Sequence, residues 1–317
     1  MKILTYWLII SLGVGIITVY PQSAGTTSFE FIRSQYSPRG AAMGGNLMAI
    51  QSDVQATLYN PAALSGNTSR LWGIHFTDHL LDFKAGYLTY AQPYRNWGNF
   101  FGNLIYFNYG SFNETDEFGE KTGRTFGASE FALSAGYSHT LGLGFDYGVA
   151  VKYLFSSLDN YTASAFAFDA GIIYSVRGMK DFTIGASLAN LGTTLDNYTS
   201  KKEKLPFVFQ IGGAKKLEHL PLLFTVGFQD IAISEDHLTD FLKKFGIGGE
   251  FDISDIIKLR LGYQNQINQD VKPIGRRVFS GFSMGLGIYW RLFNFDYAYS
   301  NFGDLGSQNR LGISGTL

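Results

Sequence analysis

The sequence predicts an all-β fold: an antiparallel transmembrane barrel of about fourteen strands, with a short N-terminal segment folded into its lumen. Three observations carry that expectation. The first is composition. Only 16% of the 317 residues are charged, against roughly 25% in an average soluble domain. Aromatic residues make up 16% and there are 38 glycines. Such a chain is not disordered. With no cysteine it has no disulfide framework and no site for N-terminal lipid. A formal net charge of -1 argues against a nucleic-acid partner. The second observation is period-two alternation. The third is a series of connections that alternate short and long.

The chain begins with Lys2 and an apolar run from Ile3 to Val19, followed by Pro21, Gln22, Ser23 and Ala24. This is the grammar of a secretory signal, cut near Gln22. A run of about 17 residues is short for a membrane anchor, and no stop-transfer charges follow it. Any membrane domain must therefore be built from strands. The expected organisation is a signal peptide at 1–22, a plug segment at 23–66 and a barrel at 67–317. An even number of strands places both termini in the periplasm, with the barrel in the cell outer membrane.

Alternation marks strands near 70–75, 84–94, 99–111, 130–140, 145–155, 165–175, 181–190, 207–214, 222–231, 242–252, 257–265, 279–290, 293–300 and 308–316. In FDYGVAVKYLF, Phe145, Tyr147, Val149 and Val151 share one face, and Asp146, Gly148, Ala150 and Lys152 the other. The connections at 95–98, 141–144, 176–180, 215–221, 253–256 and 291–292 are short. Those at 112–129, 156–164, 191–206, 232–241, 266–278 and 301–307 are longer. Outer-membrane barrels segregate their turns and loops in this way. Trp72, Tyr94, Trp97, Tyr106, Tyr109 and Trp290 fit aromatic girdles.

Charges on the inward faces should pair with one another or with the plug, because hydrocarbon rejects them. Lys84, Glu130, Asp146, Lys152, Arg260, Asp296 and Arg310 form the candidate lumen charge network. The segment before the first strand breaks the alternation. It carries Arg39, a cluster from Gly40 through Met43 to Gly44 and Gly45, then Asp53, and finally Tyr59-Asn60-Pro61-Ala62. Small residues permit close backbone packing, and Asn-Pro sets a turn. These ten residues are the candidate plug motif, with Arg39 and Asp53 expected to join the charge network.

Catalytic signatures are absent. There is no phosphate-binding loop, and the one G-x-S-x-G spacing, Gly281 to Gly285, falls inside an alternating strand run and not at the strand-to-helix turn of a nucleophile elbow. Ser138 and His139 are adjacent on one strand and so point to opposite faces. His75 and His79 lie close in sequence without the acid of a zinc motif and read as a solvated connection. No enzyme activity, metal or cofactor is expected.

The plug segment, together with the tail Asp296-Tyr297-Ala298-Tyr299 and Phe302-Gly303-Asp304-Leu305-Gly306, resembles the PorV/PorQ family of the Bacteroidota type IX secretion system. That family is itself related to FadL-type outer-membrane transporters of long-chain fatty acids. The resemblance implies a FadL-like barrel without enzymatic activity. Its expected partners are outer-membrane lipid, other type IX components and the C-terminal domains of secreted proteins. The alternative it implies is a FadL-like transporter of fatty acids or another hydrophobic small molecule.

Overall fold

Backbone amides cannot be left bare in hydrocarbon, and a sheet avoids this only by closing on itself. The computed structural model describes residues 27–198, 202–231, 242–271 and 280–317; the expected signal segment lies outside them. Fourteen antiparallel strands close one barrel, each paired to its sequence neighbours. They are β1 (Leu71–Asp78), β2 (Lys84–Pro93), β3 (Asn99–Thr115), β4 (Lys121–Gly142), β5 (Phe145–Leu158), β6 (Tyr161–Ser175), β7 (Phe182–Asp196), β8 (Val208–Lys216), β9 (Leu222–Phe228), β10 (Phe245–Asp252), β11 (Ile257–Gln264), β12 (Phe282–Trp290), β13 (Phe293–Asn301) and β14 (Ser307–Thr316). The seam runs from Leu71 opposite Thr316 to Asp78 opposite Asn309.

The barrel is polar inside and apolar outside. On β5, Phe145, Val149 and Val151 project outward, while Asp146 and Ala150 are buried. On β13, Phe293, Phe295 and Tyr297 face out, and Asp296 and Ala298 face in. Ser138 is buried inward and His139 lies on the other face, as alternation requires. Tyr109 departs from the expected girdle: it hydrogen-bonds Glu130 and joins the inner aromatic cluster around Phe107.

The short connections fall where expected, but two of the long ones do not. The stretches 112–129 and 156–164 are largely strand. β3 and β4 run on as a two-stranded ribbon, with Phe112 opposite Phe126, to a tight turn at 116–120. β5 and β6 meet across 159–160. Cross-strand pairing satisfies backbone groups there, although Gly110, Gly119 and Gly123 and the surrounding charges obscure the alternation. β3 to β7 are therefore 14 to 22 residues long. β8 to β14 are only 7 to 10. One side of the wall stands taller.

Residues 27–70 fill much of the lumen. Thr27 bridges Lys204 in the β7–β8 connection, at the end carrying the long connections. Arg70 accepts from the Leu317 amide at the opposite end. The core thus lies between this inner segment and the wall. Phe29, Phe31 and Tyr36 pack on Tyr87 and Phe107, and lower down Met43, Leu47 and Met48 pack with Tyr59 and Ala214.

Candidate functional site

The inner segment begins its descent with a short helix, α1 (Pro38–Ala42). Ser37 caps it by accepting from the Gly40 amide at 2.9 Å, and Pro38 opens its first turn. Gly44 ends it with φ +62°, its backbone pressed on the carbonyls of Ile247 and Tyr263, where a side chain would not fit. Further on, Asn60 accepts from the Ala62 amide at 3.0 Å, capping the turn Pro61–Leu64. Its Nδ2 donates to the Met48 carbonyl at 2.8 Å and to the Ile172 carbonyl of β6 at 3.0 Å. Gly171 makes that contact possible, since a Cβ there would stand 1.9 Å from Asn60 Oδ1. Much of the glycine excess has this cause.

Arg39 projects from α1 into a buried charge ladder. Its Nη1 donates to Asp53 at 2.7 Å, while Nη2 and Nε donate to the two oxygens of Glu250 at 2.7 and 2.9 Å. Arg260 donates from Nε to Glu250 at 2.7 Å, from Nη1 to Asp296 at 2.6 Å and from Nη2 to the Tyr289 hydroxyl at 3.0 Å. Gln55 Nε2 completes the Asp296 shell at 2.9 Å. Two guanidiniums meet three carboxylates, with Lys258 3.9 Å from Glu250. Buried charges persist only where they are paired and hydrogen-bonded. The ladder joins α1 and the Val54–Leu58 turn to β10, β11 and β13.

Among the expected network members, Arg260 and Asp296 join Arg39 and Asp53 here. The others do not. Lys152 pairs with Asp169 at 2.6 Å across the lumen floor of β5 and β6. Asp146 accepts from Gln51 at 2.6 Å. Glu130 is held by Tyr109 and by Ser156 at 2.8 Å. Lys84 is not in the lumen at all. Its side chain is 50% exposed and pairs with Asp78: it stands on the outward row of β2 with Leu88 and Tyr90, while Ala85, Tyr87 and Thr89 form the inward row. Arg310 is buried but belongs to no ion pair among the described residues. Glu250 escaped the sequence reading. Its signal is a carboxylate on the inward row Gly246, Gly248, Glu250 of β10.

His75 is no solvated connection residue. It sits on β1, 2% exposed, stacked on Tyr87 with both ring nitrogens unpartnered. His79 follows the strand, and burial together with the charge of Arg310 pushes its pKa down to about 4. No cluster of three or more His, Asp or Glu suited to a metal occurs among the described residues.

Above the Thr57–Tyr59 turn lies a cavity of about 380 Å³, within the range of small-molecule sites. Phe101, Ile105, Ala132, Ala150 and Ala189 give it an apolar wall on β3, β4, β5 and β7. Gln229, Gln264, Gln308, Asn103, Asn190 and Arg310 also line it. A second hollow of about 450 Å³ lies on the outer face, among Ile74, Leu286, Phe295 and Leu311. Behind it, Gly312 leaves room for the His75 ring, since a Cβ there would stand 2.2 Å from His75 Nδ1.

A plugged fourteen-strand barrel of this form is FadL-like in fold, and the solved structures it resembles bear that out. It is similar to the Pseudomonas putida toluene transporter TodX at TM-score 0.58 and 13% identity, covering 89% of this chain and 98% of that one. It is similar to the Ralstonia pickettii toluene transporter TbuX at TM-score 0.58 and 11% identity, covering 88% and 96%. A Pseudomonas aeruginosa FadL homologue gives TM-score 0.58 and 11% identity, covering 89% and 98%. No protein-family model and no curated protein matches the sequence.

Proposed function

We propose that this chain is an outer-membrane diffusion channel for small organic molecules, of the kind its structural neighbours' names describe. The carrying observation is the cavity of about 380 Å³ set between the long connections and an inner segment locked to the wall. A molecule taken up there meets the apolar wall of Phe101, Ile105 and Ala132. The inner segment acts as a plug beneath it. No bond is made or broken, so the channel needs no catalytic group. Expressed in a porin-depleted bacterial outer membrane, the protein should raise uptake of a labelled small aromatic solute. Uptake no greater than in barrel-free membranes would reject the reading.

A second reading, a component of type IX secretion, is favoured by one feature. The β3–β4 ribbon rises above the other strands and ends with Phe118 83% exposed, a surface suited to holding protein. Affinity isolation from intact outer membranes that recovers secretion components or secreted C-terminal domains supports it. Recovery of lipid alone rejects it.

A further inference from the structure

Arg310 is 2% exposed and lines the cavity. Its Nε donates to the Gln35 carbonyl, Nη1 to Ser300 Oγ at 3.0 Å and Nη2 to Gln308 Oε1. All three acceptors are neutral. A guanidinium has five N–H groups, so one hydrogen on each Nη is left over. The cavity's own carboxylates do not supply the missing charge. Asp169 is held by Lys152 at 2.6 Å and Asp230 by Arg33. Asp270, on the same lining, makes no ion pair with Arg310. Among the described residues, the ionisable groups facing the guanidinium are the Tyr36 and Tyr59 phenols, which burial pushes up and keeps neutral, and the His79 imidazole, which carries no negative charge.

A buried cation without a countercharge is expensive. The remainder of the lining is also unlike a hydrocarbon site. Gln264 donates to Gln229 at 2.6 Å, and Gln308, having accepted from Arg310, is left to donate to His79 Nε2 at 2.8 Å. A plain hydrocarbon would cover such amides and the charge without replacing their water, losing more than its own burial returns.

We propose that Arg310 is the countercharge for a small organic acid: a monoanion whose carboxylate docks on the two free N–H groups. Its body lies against Phe101 and Ile105 and carries hydrogen-bonding groups toward the glutamines. This rests on the channel reading and narrows its substrate class.

The test uses the full mature protein and probes of similar size. In detergent, equilibrium dialysis compares 4-hydroxybenzoate with p-cresol and toluene, with inorganic phosphate as competitor. The carboxylate should strengthen binding about tenfold or more over p-cresol, and phosphate should not compete. Arg310→Gln should erase the difference. Equal binding of 4-hydroxybenzoate and p-cresol by the wild type overturns the proposal, as does a preference that survives Arg310→Gln. Phosphate competing as well as 4-hydroxybenzoate also overturns it, in favour of an inorganic oxyanion. If Arg310→Gln fails to assemble, as judged by heat-dependent gel mobility, the wild-type comparison decides alone. Uptake of 4-hydroxybenzoate into reconstituted vesicles is read separately. No uptake with selective binding rejects the channel and keeps the subsite; unselective uptake does the reverse.

Discussion

Arg260 and Arg310 are the same residue in the same barrel, 0% and 2% exposed, and they have opposite surroundings. Arg260 lies between Glu250 and Asp296, each within 2.7 Å, and its charge is cancelled. Among the described residues, Arg310 donates only to neutral oxygens, and a cavity lies beside it. The first arrangement spends its charge inside the molecule, joining the inner segment to β10, β11 and β13. The second leaves its charge available. Burial therefore says little about what an arginine does; its partners decide that.

The largest effect should come from breaking the cancelled side. Glu250→Gln removes the carboxylate shared by Arg39 and Arg260, leaving two buried guanidiniums short of an acceptor charge. The expected loss is about 3–5 kcal/mol, read as a lower midpoint of urea unfolding in detergent by circular dichroism. A midpoint matching the wild type would mean the ladder does not hold the inner segment. Asn60→Ala acts on the same segment away from any charge. It removes the cap of the Pro61–Leu64 turn and the bond to Ile172, for about 1–2 kcal/mol. The freed segment should become cleavable at Arg39 by trypsin in the intact barrel, where the wild type resists.

How much of this contrast could be read from the sequence depends on what alternation encodes. It assigns a face, so Asp296, Arg260 and Arg310 were placed inward, and Phe145 and Val149 outward. It does not settle the face where both rows are largely apolar: on β2, Ala85, Tyr87 and Ala91 fill the lumen side, and Lys84, in the row of Leu88 and Tyr90, faces out. Nor does it assign a partner. Arg39 and Glu250 are 211 residues apart, and only barrel closure and the descent of α1 bring them together. The ribbon at 112–129 was hidden for another reason: its strands are paired in a hairpin with polar residues on both faces, so no apolar stripe announces it. Asn60 and Pro61 were visible as a turn. Their contact with Gly171 and Gly148 was not, because each looks like an ordinary glycine on an inward row.

The uncancelled side should behave differently under the same kind of change. Arg310→Met removes a charge without stranding a carboxylate, so stability should stay within about 1 kcal/mol of wild type or rise. Arg260→Met, which strands Asp296 and half of Glu250, should cost several kcal/mol. Equal losses in the two variants would erase the distinction on which the anion subsite rests.

The smallest effect sharpens the comparison most, because it reads the free charge directly. His79 accepts from Gln308, and its pKa is pushed down to about 4, first by burial and then by Arg310. With the folded value below the ordinary 6.5, the unfolded chain binds a proton that the folded one refuses. The contribution of His79 to stability is therefore complete above pH 6.5 and drains away as pH falls toward 4. In Arg310→Met one of the two depressing causes is gone, so the imidazole midpoint followed by NMR should rise yet stay below 6.5, because burial is the larger cause. In Glu250→Gln, whose charge lies in the other cluster, the midpoint should stay put. A His79 midpoint that ignored Arg310 would mean the guanidinium is already neutralised, and the two arginines would then differ only in who supplies the partner.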